Sequence, residues 1–140
     1  MARNVNVRSE ELRYVQEISI GGHVIKADEP TDAGGNDTGP NPYELLLAAL
    51  GACTSMTLQM YAERKRWPLQ EVRVNLSHAK IHARDCTECD PASLVDQIEM
   101  EVSLFGNLSQ EQRVRLMEIA NKCPVHRTLT SPIQIRTHLT

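Results

Sequence analysis

The sequence predicts one α+β domain spanning residues 1–140, and three observations lead to this fold class. The length of 140 residues suits one domain and is too short for two of ordinary size. Hydrophobic residues make up 41% and charged residues 24%, which excludes a disordered chain. Segments with strand-like alternation and helical caps follow the order strands, helix, strands, helix, strand. This order is typical of α+β folds rather than of wound parallel sheets.

Short strands and a long loop are predicted at the N-terminus. Alternation predicts a strand near Asn4–Arg8, then a hairpin in which Tyr14–Ile20 pairs with His23–Ala27 across a Gly-Gly turn. Asp28–Pro40 is rich in Gly, Pro, Asp and Thr, which predicts a loop. Loops of this length are uncommon inside compact domains and are often functional.

The clearest helix start in the chain follows that loop. Asn41 is a good N-cap, Pro42 suits the first helical position and Glu44 completes a capping box. The helix is predicted to run to about Arg66, where a Trp-Pro pair stops it. Its first half is apolar all round, so we expect it to be buried on most sides. Gly51 inside it indicates the close approach of another backbone.

The second half of the chain alternates strands and helices. Two alternating segments, Val72–Ala83 and Ile98–Phe105, predict long half-buried strands paired antiparallel. Ser109 caps the next helix, and a Gln three residues later completes a second capping box. The last predicted elements are a short helix and a final strand, Pro124–Thr130 and Ile133–Thr137.

Composition and charge exclude several classes of partner. Fifteen Lys and Arg against eighteen Asp and Glu give a net charge of -3, which argues against nucleic-acid binding. The longest apolar run, Leu45–Cys53, is well short of the roughly 20 residues of a membrane span. The N-terminus has no apolar core of the signal-peptide kind. The sequence therefore predicts a cytoplasmic protein with no membrane or nucleic-acid partner.

Cys53 and Cys123 occupy different predicted environments. Cys53 lies in the apolar helix, where a free cysteine commonly serves as a small buried hydrophobe. Cys123 directly precedes Pro124, so it is a candidate N-cap of the last short helix, where a thiolate is favoured. His126 and Arg127 lie within one turn and add positive charge.

Two motifs around these cysteines resemble the OsmC/Ohr family. They are Asn-Pro-Tyr-Glu-Leu-Leu-Leu-Ala-Ala-Leu-Gly-Ala-Cys at Asn41–Cys53 and Cys-Pro-Val-His-Arg-Thr-Leu at Cys123–Leu129. The resemblance implies an OsmC-like α+β fold with antiparallel sheets packed on a long buried central helix. It also implies intertwined homodimers with active sites at the subunit interface. The low aromatic content favours a dimer independently, though weakly.

The resemblance further implies a thiol-dependent peroxidase that reduces organic hydroperoxides. Cys53 would form a sulfenic acid and Cys123 would resolve it to a disulfide, which an external dithiol or lipoyl protein reduces. No cofactor or metal is predicted for this chemistry. The alternative is a non-catalytic protein that binds a small ligand on the same fold.

The family also supplies an Arg in the N-terminal strand-loop region and a Glu directly after the Asn-Pro pair. Here Tyr43 follows that pair and Glu44 comes one residue later, about 100° further round the helix. Arg8 and Arg13, expected in the loop between the first strands, are the candidates for the Arg. Tyr43 and Met56 are the candidate substrate-binding residues.

A second cluster of cysteines has the pattern His-x3-His-x3-Cys-x2-Cys, formed by His78, His82, Cys86 and Cys89. On one strand the two histidines would lie ~13 Å apart, too far to bind one ion together. Three interpretations stay open: a zinc site of His82 with both cysteines and a fourth ligand, a redox dithiol, or two unrelated thiols. Acidic neighbours argue against a thiolate of low pKa.

Overall fold

The computed structural model describes residues 3–82 and 94–140 and confirms the α+β class. It contains two antiparallel sheets, one of three strands and one of two, together with helices. The chain divides into two compact units, Met1–Leu46 and Leu47–Thr140, which are described one at a time. The single domain over residues 1–140 stays a prediction.

The N-terminal unit is built on a three-stranded meander, as predicted. Strands β1 (Val5–Ser9), β2 (Gln16–Ile20) and β3 (His23–Ala27) pair antiparallel in chain order. Gly21 has a φ of +57° at the β2–β3 turn, a conformation that glycine adopts without steric cost. One turn of 3-10 helix, Thr31–Ala33, lies inside the predicted loop.

The loop of residues 28–40 folds back on itself around the buried Asp28. Its carboxylate accepts hydrogen bonds from Glu29 N–H (2.8 Å), Asn36 N–H (3.2 Å), Thr38 N–H (3.0 Å) and the Thr38 hydroxyl (2.8 Å). The Asp28 N–H donates to Pro40 O at 3.1 Å and closes the loop. Burial acts to raise the pKa of Asp28, but these donors outweigh it and lower the pKa.

The long helix α1 (Pro42–Lys65) begins and ends close to where the sequence predicts. The Glu44 N–H donates to Asn41 Oδ1 at 2.8 Å, and the Asn41 N–H donates to Glu44 Oε1 at 2.9 Å. This is the predicted capping box. The helix ends at Arg66, whose φ of +58° leaves the helical region.

One face of α1 is buried within this chain. The buried positions share one stripe of the helix: Leu50, Gly51, Thr54, Leu58 and Ala62. Met56 and Met60 are 56% and 62% exposed. Within one chain, α1 is therefore not buried on most sides, although the sequence predicts such burial. By length and composition α1 could cross a bilayer, with 28% of its apolar stretch buried, but core helices meet the same criterion.

A long antiparallel hairpin covers the buried stripe of α1. Strands β4 (Leu69–His82) and β5 (Leu94–Gly106) pair from Val72 opposite Leu104 to His82 opposite Leu94. The predicted pairing and inward alternation are confirmed, and both strands begin earlier than predicted. Ala83, the predicted end of the first of these strands, lies outside the described residues.

Gly51 is small because a side chain, rather than a backbone, approaches it. A Cβ at Gly51 would lie 2.7 Å from Leu76 Cδ1 of β4. The expected close backbone approach is therefore wrong at this position.

Helix α2 (Gln110–Ala120) completes the core of the C-terminal unit. Its predicted capping box is present: the Gln112 N–H donates to Ser109 Oγ at 3.1 Å and the Ser109 N–H to Gln112 Oε1 at 2.9 Å. The buried cluster joins both helices and contains Leu58, Ala62, Leu116, Ile119 and Ala120.

The chain ends with a short helix and an extended segment. Helix α3 (Pro124–Leu129) is predicted correctly. The predicted strand Ile133–Thr137 is wrong, because residues 132–140 form no strand and Ile135 and Leu139 are 83% and 101% exposed. A strand requires a neighbour to complete its hydrogen bonds. None of the strands in the described part of this chain pairs with it.

Candidate functional site: a contacting pair of thiols

Cys53 and Cys123 lie next to each other within the C-terminal unit, and both are free thiols. Cys53 is partly buried on α1, whereas Cys123 is wholly buried as the N-cap of α3. The predicted cap is present, since the His126 N–H donates to Cys123 Sγ at 3.3 Å. Of the residues predicted for the site, these two are brought together.

The surroundings of Cys53 disfavour its thiolate. Burial raises the pKa of the Cys53 thiol, and the contact with Cys123 raises it further. Donors from the Val125 N–H and the Thr57 hydroxyl favour the thiolate but do not offset the increase. Within its own unit, Cys53 therefore favours the protonated form.

The surroundings of Cys123 favour its thiolate. Burial acts to raise the pKa of Cys123, as it does for Cys53. The neighbouring Cys53 thiol and the His126 N–H act in the opposite direction, and the pKa of Cys123 is lowered. The pKa of Cys123 thus shifts in the direction opposite to that of Cys53.

Two polar groups lie next to the pair: Thr54, which was not assigned to it from sequence, and His126, which the sequence places beside Cys123. Thr54 is wholly buried, and its hydroxyl lies within reach of Cys123 Sγ and donates to Met100 Sδ at 3.5 Å. A hydroxyl residue directly after Cys53 in an apolar helix was the available signal. His126 Nδ1 is buried and has no hydrogen-bond partner among the described residues.

The family comparison covers the part of the chain that contains both thiols. A family model described as OsmC-like protein matches residues 34–138, well over half of the chain and both cysteines. The chain belongs to the OsmC-like family.

The fold of this OsmC-like protein matches solved structures at low sequence identity. The OsmC like protein from Mycoplasma pneumoniae is 18% identical, with a TM-score of 0.71 over 93% of this chain and 88% of that one. An organic hydroperoxide resistance protein OsmC from Legionella pneumophila is 15% identical (TM-score 0.67, 92% and 89% covered). The organic hydroperoxide resistance protein OhrB of Bacillus subtilis is 19% identical (TM-score 0.61, 91% and 90% covered). At these identities the likeness shows the fold.

A search of curated proteins finds no significant match to this OsmC-like chain.

The remaining residues predicted for the OsmC-like site lie mainly in the N-terminal unit. Arg8 belongs to β1, where it pairs with Glu17 at 3.2 Å. Arg13 has a φ of +41°, and its guanidinium donates to Gly34 O at 2.6 Å. The Arg8 position corrects the expectation that both arginines lie in a loop between strands.

Three further candidates lie on α1 of this OsmC-like protein. The Glu44 carboxylate accepts a hydrogen bond from the Asn41 N–H and completes the helix cap that the sequence predicts. Tyr43 is 53% exposed on the first turn. Met56 lies one turn beyond Cys53 and is 56% exposed. The roles of all three at the thiol pair stay predictions.

Cys86 and Cys89 lie outside the described residues, so the three interpretations of that cluster stay open. His78 belongs to β4, and its Nε2 lies 2.8 Å from Asp96 Oδ1. Within residues 3–82 and 94–140, no group of three or more His, Cys, Asp or Glu side chains is placed to hold a metal ion.

Proposed function

We propose that this protein is a thiol-dependent peroxidase that reduces organic hydroperoxides through Cys53 and Cys123. The contact between a partly buried thiol and a wholly buried one carries the proposal. Membership of the OsmC-like family supports a function related to peroxides, because solved structures of similar fold are named as organic hydroperoxide resistance proteins.

Exposure decides the order of events at the pair. Cys53 is the more accessible sulfur, so it attacks the peroxide and becomes a sulfenic acid. Cys123 attacks that sulfur, and a disulfide forms with loss of water. An external dithiol or lipoyl protein then reduces the disulfide by exchange. The apolar residues around Cys53 on α1 suit an alkyl peroxide.

Because the pKa of Cys53 is raised, its thiolate needs a further stabilising group to form near neutral pH. We assign this role to an N-terminal arginine, with Arg13 and Arg8 as the two candidates and Glu44 as the carboxylate that orients it. Tyr43 and Met56 are the proposed contacts for the alkyl part of the peroxide. None of these steps uses a cofactor or a metal.

The proposed working unit is a homodimer of one OsmC-like domain per chain in the cytoplasm. The exposed Met56 and Met60 leave an apolar face of α1 for a second copy to cover. A reducing cytoplasm keeps both cysteines as thiols and supplies dithiols for the last step. The proposal involves no nucleic acid and no membrane.

The test is consumption of cumene hydroperoxide with dihydrolipoamide as reductant. We expect turnover by the wild type, loss of at least about a hundred-fold in Cys53→Ser, and little change in Ser55→Ala on the same helix. The large loss follows because a hydroxyl is a far weaker nucleophile than a thiolate near neutral pH. Equal rates for wild type and Cys53→Ser would exclude the proposal.

The binding protein without turnover is the second candidate, and one observation favours it. The Glu44 carboxylate is engaged in the cap of α1 rather than held ready for an arginine. Folded wild-type protein that binds a small apolar thiol or peroxide but consumes none would establish this second function.

A further inference from the structure

We propose that a groove in the C-terminal unit binds a small organic anion in which a flat ring carries a carboxylate or a phosphate. The groove lies between the C-terminal end of α1 and the start of α2, and its volume of about 430 Å³ is in the range of small-molecule sites. Tyr61, Lys65, Trp67, Glu111 and Arg115 are among the residues that line it, and we call it the Tyr61 groove. Neither thiol of the candidate site lines it, so this proposal does not depend on the peroxidase.

Three cationic side chains surround one aromatic ring at this groove. Arg64 Cζ, Lys65 Nζ and Arg115 Cζ lie 5.9, 5.7 and 5.7 Å from the centre of the Tyr61 ring. Arg115 also donates from Nε to the Tyr61 hydroxyl at 3.1 Å and from Nη1 to Glu118 at 2.7 Å. Within the part of the chain that the structure describes, Arg64 and Lys65 form no salt bridge. These two cations are therefore available to an anion from outside.

Positive charge prevails at the Tyr61 groove. The three cations face two carboxylates, those of Glu111 on the wall of the groove and of Glu118 beside Arg115. The pKa of Tyr61 is lowered, chiefly because Arg115 donates to its hydroxyl, and the three positive charges act in the same direction. The same charges that favour a phenolate at this point would stabilise the carboxylate or phosphate of a ligand.

The aromatic wall of the Tyr61 groove is held in place by the core. Tyr61 and Trp67 both pack against the buried cluster of the C-terminal unit. Their ring centres are 5.5 Å apart and their planes lie at 70°, an edge-to-face arrangement. Because packing already fixes these rings, a flat ligand gains apolar contact with them without ordering them on binding. An anion without a ring lacks this contact, and a ring without an anion leaves the cations unused.

Trp67 reports on the groove directly, because it is the only tryptophan of the chain. The test titrates the whole protein with phenyl phosphate and with benzoate, and it records tryptophan fluorescence at an excitation wavelength that neither probe absorbs. We expect a saturable change with at least one of them, and the comparison shows whether a phosphate or a carboxylate is preferred. Inorganic phosphate supplies the anion alone and benzyl alcohol the ring alone, so both should bind more weakly. An equal response to either control, or no saturable response to phenyl phosphate and benzoate, would overturn the proposal.

Variants of the exposed cations test the location of the site. We expect Lys65→Gln to weaken binding of the preferred probe by about three-fold, and Lys65→Gln combined with Arg64→Gln by about ten-fold. Lys122→Gln removes the same charge beyond the opposite end of α2 and should leave the affinity unchanged. An equal loss in Lys122→Gln, or no loss in the double variant with normal thermal unfolding, would overturn the proposal. Cys53→Ser should bind the probe like the wild type, so failure of the peroxidase would leave this site untouched.

Discussion

Asp28 shows how one residue can organise a whole loop. Its buried carboxylate gathers donors from residues 29, 36 and 38, and these lower its pKa. A carboxyl whose pKa is lower in the folded state stabilises the fold above its unfolded pKa of about 4, and this contribution is lost as the pH falls through the folded pKa.

Asp28→Asn is therefore expected to lower the urea midpoint at pH 7, because the amide replaces one acceptor oxygen with a donor that faces N–H groups. The difference in midpoint from wild type should narrow as the pH falls below about 4, because the Asp28 carboxyl of the unfolded chain takes up a proton before that of the folded protein. The matched control is Asp32→Asn, an exposed position in the same loop. Equal midpoints for the two variants at pH 7 would show that Asp28 does not hold the loop.

At the residue scale, the sequence predicts the interactions that form between residues close together along the chain. The Asn41–Glu44 box and the Cys123 cap follow from spacing of three residues along the chain, and both are present. The meeting of Cys53 with Cys123 followed from a family motif rather than from spacing. Thr54 gains its place beside Cys123 only when α1 and α3 pack, which no local pattern encodes.

At the element scale, the β4–β5 hairpin depends on a glycine at its open end, where Gly106 lies opposite Leu69. Gly106 has a φ of +140°, and an added Cβ would collide with the carbonyl oxygen of Pro68. The Arg113 guanidinium of α2 also donates to Leu104 O at 2.7 Å and to Gly106 O at 3.1 Å. The end of the strand is thus fixed by backbone shape on one side and by α2 on the other.

Gly106→Ala is expected to destabilise the fold by at least about 2 kcal/mol, because it combines an unfavourable φ with a backbone collision. Gly22→Ala is the control, since a Cβ there has no heavy atom within 4 Å, and its effect should stay within about 0.5 kcal/mol. Urea unfolding of both variants measures the difference. A Gly106→Ala protein as stable as Gly22→Ala would refute the collision.

Elements whose signals lie in their own sequence were predictable, whereas elements that need a partner were not. Helices α1 and α2 carry their start signals in their own sequence, and both begin where expected. The alternation of Ile133, Ile135 and Leu139 has the period of a strand, yet these side chains are exposed and unpaired in one chain. A strand is completed by a neighbour, and its own sequence does not say which molecule supplies that neighbour.

At the scale of the whole molecule, the described residues of one chain leave two features exposed: the apolar face of α1 and the extended C-terminal segment. In the proposed homodimer, a second copy would supply both a matching helix face and open sheet edges. This choice also agrees with the low aromatic content, because five aromatic residues give one chain little bulk for its core. Burial of large apolar side chains such as Met60 in a dimer removes them from water at roughly 1.5–3 kcal/mol each.

Met60→Glu is therefore expected to shift the protein from a dimer of twice 15.7 kDa towards a monomer at micromolar concentration, because a carboxylate without a partner is costly in an apolar interface. Gln59→Glu adds the same charge at the neighbouring exposed position and is expected to leave the dimer intact. Sedimentation velocity measures both. An intertwined dimer can lose its fold when its subunits separate, so a second variant is needed. Truncation after Thr130 provides this independent test and should also weaken association. A wild type that sediments as a 15.7 kDa monomer with full peroxidase activity would contradict the homodimer and leave the thiol pair as the complete site.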